Sequence, residues 1–437
     1  MNILLTINDI SITGGAERVC INLANALLGL NHSVEILSFY RKNRDLPYHT
    51  NAKLTFINDF GEDIQRARFY KNPLSKIYFK NLYKFILSLK VKRDYKHIDT
   101  IITNDWTYTP FLKNKATHYI KINHLNFSKY NKRNNLFDTL ILLSKMELHI
   151  WQKYHKNIKV IPNFIPEMPK ILRGDLQEMA QAKQNLSQDL QDMQDLLNSQ
   201  DLADSQPILP LSKSQKCVIS VGRMESGDQK GFLRLLDIWK ILQDSNPHSK
   251  HHRINLAESR RSENAENAEF STQSHSQENP LQSKQDSNAT LHNWHLIIIG
   301  DGELKDAIDS KIKALKLENS VILKPFTKDI GSEYQNADIY AMSSHYEGFG
   351  MVLAEAGSYG LPCVAFDIPT GPSDIIEHNA SGLLVENNDL VAYAKALRVL
   401  ISDKAMRKRM GISARERIDK HFSQRAIMPM WSAILAK

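Results

Sequence analysis

The sequence predicts two doubly wound α/β domains, each a parallel sheet covered by helices on both faces. Three observations predict it. Short β-branched runs alternate with helical patterns along most of the chain. Most of those runs are apolar throughout, as strands buried on both faces must be. The 437 residues are enough for two such units at ~100–200 residues each. A composition of 42% hydrophobic and 24% charged residues excludes a wholly disordered or fibrous chain.

In the first half the predicted strands are 3–7, 34–39, 100–103, 118–122, 139–143 and 160–161. In the second half they are 217–221, 295–299, 321–323, 339–342, 363–366 and 383–385. The predicted domains are 1–166 and 216–420, with a returning C-terminal helix over 421–437. Between the domains, 167–215 is a polar linker. Residues 245–293 are dominated by Ser, Asn, Gln, Glu and His. Such a stretch buries too little to offset the entropy of ordering, so it reads as a disordered insertion between a helix (231–243) and a strand.

The first strand runs into Gly14-Gly15 and a helix over 16–28, whose Val19, Leu23 and Leu27 share one face. Two glycines at a strand-to-helix turn let a ligand approach the backbone, and the helix start offers free N–H groups. The same glycines also read as a tight turn without a ligand. The full dinucleotide fingerprint is missing, so a nicotinamide enzyme is not supported. His124 follows the strand 118–122, at the sheet edge where open α/β folds bind ligands. Among 16 histidines it reads equally as structural.

The second half carries denser chemistry. The strand 217–221 leads into Gly222-Arg223-Met224-Glu225-Ser226-Gly227-Asp228-Gln229-Lys230-Gly231. A guanidinium fork and an ammonium flanking one loop suit a diphosphate, although a plain surface loop has the same look. Gly300-Asp301-Gly302-Glu303 forms a second close turn before a helix. After the strand 339–342 comes Ser343-Ser344-His345-Tyr346-Glu347-Gly348-Phe349-Gly350-Met351, then a helix carrying Glu355. Its first N–H groups can take phosphate oxygens, and the two carboxylates can accept from sugar hydroxyls. Two glutamates eight apart carry no weight alone, since Glu258 and Glu266 share that spacing inside the insertion.

In this order the motifs resemble the retaining glycosyltransferases of family 4, with the GT-B fold: two Rossmann-like domains facing a cleft. Glu347 and Glu355 match the family's Glu-x7-Glu motif, and Arg223 with Lys230 its diphosphate-binding segment. Gly14-Gly15-Ala16-Glu17-Arg18-Val19 resembles its first loop, and Val160-Ile161-Pro162-Asn163 the end of its first domain. The run Gly360-Leu361-Pro362-Cys363-Val364-Ala365-Phe366-Asp367 is also typical of the family, and 367–376, with Thr370-Gly371-Pro372, looks most like members that add galactose, N-acetylgalactosamine or glucose to lipopolysaccharide, capsule or lipid-linked glycans. The chain departs from the family at Lys324-Pro325-Phe326-Thr327 and at Asn123, which precedes His124 where many members have glutamate.

The resemblance implies transfer of a hexose or N-acetylhexosamine from a nucleoside diphosphate sugar, UDP-linked, to a glycan hydroxyl, with retained configuration. By it, Arg223 and Lys230 hold the diphosphate. Glu347 contacts the donor sugar, helped by the backbone of Gly348, Phe349, Gly350 and Met351. Glu355 holds the ribose, His124 reaches the donor sugar, and Gly15 abuts the diphosphate or acceptor. No metal or other cofactor is implied. A sugar-nucleotide epimerase and a non-catalytic nucleotide-sugar-binding protein stand as alternatives on the same fold.

The formal charge of +8 suits an anionic partner. Ten Lys or Arg and a single acid, Asp94, fall in residues 65–97. Lys76, Lys80 and Lys84 share one helical face, with aromatics interleaved. Such a face rests on an anionic leaflet, each basic residue contributing ~1 kcal/mol near the surface, or is simply solvated over the core. No nucleic-acid recognition module accompanies it. Three scattered cysteines read as reduced thiols, and no apolar run approaches the ~18 residues of a membrane span. The expected location is cytoplasmic, on the inner face of the membrane.

Replacing residues 245–293 with a short Gly-Ser linker should leave the cooperative melt and the transferase activity intact; loss of the melt would show that the segment builds part of the core.

Overall fold

The computed structural model describes residues 1–63, 78–124, 127, 130–169, 216–244, 291 and 293–436. The linker 167–215 and the insertion 245–293 therefore lie almost wholly outside the described residues, as do Arg66, Arg68, Lys71 and Lys76.

Each half forms one parallel sheet. The first comprises β1 (Asn2–Asp9), β2 (Ser33–Tyr40), β3 (Lys53–Phe56), β4 (Thr100–Thr103), β5 (His118–Asn123), β6 (Thr139–Leu142) and β7 (Ile158–Val160). Its order is β3-β2-β1-β4-β5-β6-β7. The second comprises β8 (Lys216–Val221), β9 (Trp294–Ile299), β10 (Val321–Lys324), β11 (Ile339–Met342), β12 (Cys363–Asp367) and β13 (Gly382–Glu386). Its order is β10-β9-β8-β11-β12-β13. In both sheets the order reverses beside the first strand, which opens a crevice at the carboxyl ends there. These are the two Rossmann-like domains of the GT-B fold.

The apolar runs have the burial that their composition requires. In β1, Ile3, Leu5 and Ile7 pack with Cys20, Leu23 and Leu27 of the Gly15–Gly29 helix. Leu4 points the other way, into a cluster with Leu87 and Val91. A strand covered on both faces gains burial from every residue, which is why no polar alternation is visible in it. In the second sheet Val218 and Leu296 face Leu235 and Trp239 of the Phe232–Asp244 helix, while Ile219 and Ile299 face the other layer.

The sequence reading missed β3. It is a four-residue edge strand, paired only with β2. Glu35 of β2 holds it, accepting from Thr55 Oγ1 at 2.7 Å and Lys53 Nζ at 3.0 Å. Polar bonding of this kind leaves no apolar period to read.

The chain returns to the first domain at its end. The N–H of Ile165 donates to Phe422 O at 2.7 Å, and the N–H of Gln424 donates to Ile165 O at 3.0 Å. The Gln424–Leu435 helix follows, and its Trp431 closes a small cleft with Val19, Leu23, Ile122 and Leu143. Cys20, Cys217 and Cys363 are buried and unpaired. No described helix is long and apolar enough to cross a membrane.

Trp431→Ala should lower stability by ~3–5 kcal/mol, because a large buried ring leaves a void that cannot collapse. Urea unfolding followed by first-domain fluorescence checks this.

Candidate functional site

Both sheets aim their carboxyl ends at the crevice between the domains. After β8 the chain turns through Gly222-Arg223-Met224. Met224 is fully buried, and its N–H donates to Asp301 O at 2.9 Å. That anchors the turn and leaves the Arg223 side chain half-exposed, with Glu225 at 3.0 Å. Asp228 accepts from the N–H of Phe232 at 2.8 Å and of Leu233 at 3.2 Å, capping the helix that follows. Lys230 lies just ahead of that helix. Its Nζ donates to Glu347 Oε1 at 2.7 Å.

The Glu347 loop is held from three sides. Arg234 Nε donates to Ser343 O at 2.6 Å, and Ser344 Oγ donates to Glu347 Oε1 at 2.7 Å. Thr370 Oγ1 donates to the Glu347 carbonyl. Gly371, at φ +99°, packs so closely that a Cβ there would sit 2.6 Å from Phe349 O. Phe349 turns its ring into the core, edge-on to Phe422 at 5.6 Å. Only its backbone can therefore face a ligand, as can that of half-buried Gly348. Gly350, left-handed at φ +86°, caps the Met351–Ser358 helix. Both side-chain bonds to Glu347 fall on Oε1, so Oε2 remains for a ligand.

Glu355 is buried, and its partner comes from the other domain. Arg18 Nη1 lies 2.7 Å from Glu355 Oε1, and Tyr334 OH donates to Oε2 at 3.3 Å. Burial raises the Glu355 pKa, and Arg18 works against that rise. Beside it, Glu17 approaches Arg223. A Cβ on Gly14 would lie 2.1 Å from Glu17 Oε2 and 2.8 Å from Arg223 Nη2. A Cβ at 14 would displace these two side-chain ends, whereas a Cβ on Gly15 would meet nothing within 4 Å. Burial raises the Glu17 pKa, opposed by its own backbone N–H and by Arg223. A carboxylate thus faces the predicted diphosphate residue, and a guanidinium faces the predicted ribose residue. The sequence reading missed Glu17 and Arg18 as cross-domain partners. Their place in Gly14-Gly15-Ala16-Glu17-Arg18 was the available signal.

His124 ends β5 with Nε2 3.1 Å from Asn104 Oδ1. Burial, then the Lys121 charge, pushes its pKa down to about 4. The ring is neutral at pH 7 and donates to Asn104 through Nε2. Asn104 Nδ2 is buried with no hydrogen-bond partner among the described residues, so this edge of the first sheet holds an amide donor beside the ring. Asn104 too was missed. Among the described residues no group of three His, Cys, Asp or Glu could hold a metal ion.

Residues 277–417 match the family model described as glycosyl transferases group 1. An uncharacterized glycosyltransferase of Haemophilus influenzae is 24% identical over 98% of both chains. An amylovoran biosynthesis glycosyltransferase of Erwinia amylovora is 30% identical over 51% of this chain and 49% of its own. A solved Staphylococcus aureus TarM mutant, in complex with fondaparinux, alpha-GlcNAc-glycerol and UDP, covers 100% of both chains at a TM-score of 0.68 and 14% identity. Two facing Rossmann-like domains with this cleft define the GT-B fold. The chain has that fold, and its second domain is similar to the group 1 glycosyl transferases.

Arg18→Met should leave Glu355 as a buried charge without a cation. Stability at pH 8 should fall by up to ~3 kcal/mol, the low end for breaking a buried pair, because Arg18 is one-third exposed. Lowering the pH protonates Glu355, whose pKa rises further in the variant. The deficit should therefore shrink between pH 8 and pH 5, as measured by urea unfolding at each pH.

Proposed function

We propose that this protein transfers a hexose or N-acetylhexosamine from a UDP-linked sugar to a hydroxyl of a surface-polysaccharide or lipid-linked glycan acceptor, with retained anomeric configuration. One observation carries the reading. Arg223, Lys230 and the N–H groups opening the Met351–Ser358 helix meet two buried carboxylates, Glu347 and Glu355, at one crevice. The UDP complex of TarM and the name of the amylovoran relative support the donor and acceptor classes.

In this reading the work of catalysis is to stabilise charge on the departing diphosphate. Arg223 and Lys230 supply the positive charge, in a crevice that the first domain partly closes. Glu347 Oε2 accepts from donor-sugar hydroxyls. Its Oε1 stays fixed by Lys230 and Ser344, so the carboxylate needs no reorganisation as the bond breaks. Glu355 accepts from the ribose. His124, neutral at pH 7, hydrogen-bonds the sugar and shuttles no proton. Attack comes from the face that the diphosphate leaves, and a leaving phosphate oxygen takes the acceptor's proton. The paired-carboxylate chemistry of glycosidases does not apply. The protein works at the cytoplasmic face of the membrane, drawn there by the basic stretch 65–97.

Labelled nucleotide sugars incubated with the protein and a membrane extract test the reading. Label should move into a glycan or lipid product. A free sugar isomer formed without acceptor would indicate an epimerase, and binding without turnover a non-catalytic protein. Glu347→Gln should lower single-turnover rates by roughly 10²–10³-fold with donor affinity little changed. Glu355→Gln should mainly weaken donor binding, because the ribose is held alike in ground and transition states. Normal turnover in Glu347→Gln would overturn its role.

A further inference from the structure

Among the described residues the His124 ring has one hydrogen-bond partner. Its Nε2 lies 3.1 Å from Asn104 Oδ1, and Nδ1 has none. Asn104 comes from the neighbouring strand. It follows β4, its N–H donates to Thr6 O of β1 at 2.9 Å, and it is 4% exposed. Parallel pairing of β4 with β5, from Thr100 beside His118 to Thr103 beside Lys121, brings the two side chains within reach. A pinned backbone and close burial leave the Asn104 oxygen little freedom to turn from the ring.

A neutral imidazole carries one proton, and the partner of each nitrogen decides where it sits. An amide oxygen only accepts, so it holds the proton on Nε2 and leaves the Nδ1 lone pair open. The same amide has its Nδ2 buried with no partner among the described residues. An apolar side chain would fill this space without an orphaned N–H, so packing alone does not account for an amide here. The surrounding charges keep the ring neutral. Lys121 of β5 acts on it and opposes protonation. On the β4 side Asp105 spends its carboxylate on Thr6 Oγ1 at 3.0 Å and on the N–H groups of Thr107 at 2.5 Å and Tyr108 at 2.7 Å, and its charge acts on Lys121. On the Gly15–Gly29 helix Glu17 interacts with Arg223 and Asp9.

We propose that Asn104 is a positioning residue: it fixes His124 as the Nε2–H tautomer, so that Nδ1 presents a hydrogen-bond acceptor to a hydroxyl of the donor sugar. The sugar half of this statement rests on the transferase reading. The consequence is directional. An open lone pair takes a hydroxyl proton, whereas the other tautomer or an imidazolium would present an N–H and could only donate. A free hydroxyl therefore satisfies Nδ1, and an ether or carbonyl oxygen at that sugar position does not. His124 discriminates by this difference, and Asn104 sets its sense.

Nitrogen NMR of the full chain with labelled histidine tests the positioning without turnover, the His124 signals being assigned by their loss in His124→Gln. The wild type should show one tautomer, protonated at Nε2, from pH 8 to pH 5. Asn104→Leu should show a mixture of tautomers. Asn104→Asp should keep the proton on Nε2, because a carboxylate also accepts there, and should raise the His124 pKa through its charge. A wild-type proton on Nδ1, an Asn104→Leu ring that stays wholly Nε2–H, or a His124 pKa unmoved in Asn104→Asp each overturns the proposal. The wild-type and aspartate results stand even where Asn104→Leu does not fold. Turnover reads the sugar contact. Asn104→Leu should lose about tenfold at pH 7, as the loss of one hydrogen bond does. Asn104→Asp should fall further behind the wild type from pH 8 to pH 5, as Nδ1 gains a proton. Equal turnover in all three proteins at both pH values overturns the sugar contact. If the wild type transfers no sugar, the transferase reading fails, and the NMR signals still decide the tautomer.

Discussion

A buried carboxylate stays ionised only beside a cation, and Glu355 takes its cation from the opposite domain. That constraint governs the crevice. The Arg18–Glu355 contact at 2.7 Å links the first loop of one sheet to the helix after β11 of the other. Glu17 and Arg223 approach each other beside Gly14 in the same loop. Neighbouring residues of one turn thus contribute opposite charges to the two halves of the candidate donor site. Opening the domains would leave Glu355 buried without its cation, so the closed arrangement is tied to the electrostatics of the site itself.

The second domain shows how a loop is made rigid enough for such a role. The Glu347 carboxylate is positioned by Lys230 and Ser344, and its carbonyl by Thr370. Arg234 fixes the preceding residues through Ser343 and Ser344. Three segments meet at this loop, 230–234, 343–347 and the stretch of Thr370, each set at the carboxyl end of a strand or the start of a helix. Preorganisation of this kind is what lets a polar group stabilise developing charge without moving.

The first domain is built differently. Its crevice edge carries neutral His124 and the Asn104 amide, with Lys121 and the buried Asp105 beside them. The Tyr83–Asp94 helix buries Leu87 and Val91 against the sheet while Phe85, Ile86 and Leu89 stay exposed.

By itself the sequence determined the fold class. Strands buried on both faces must be apolar throughout, and that pattern is local. It also determined the loop from Ser343 to Glu355, because glycines at a strand-to-helix turn are needed by the backbone there and remain adjacent in the chain. Only the tertiary structure decided who meets whom. β3 was illegible because its partners are polar groups on β2. Arg18 and Glu355 are far apart in sequence, and no local period relates them. Lys84 reads as one member of a solvated i+4 series, yet it turns inward to Trp106 O, because the carbonyls of the loop after β4 come within its reach only when the helix packs against the sheet. Asn104 carries no motif at all, and its meeting with His124 follows from the register of β4 on β5. Periodicity and turn chemistry are properties of neighbours along the chain, whereas a charge finds its partner through packing.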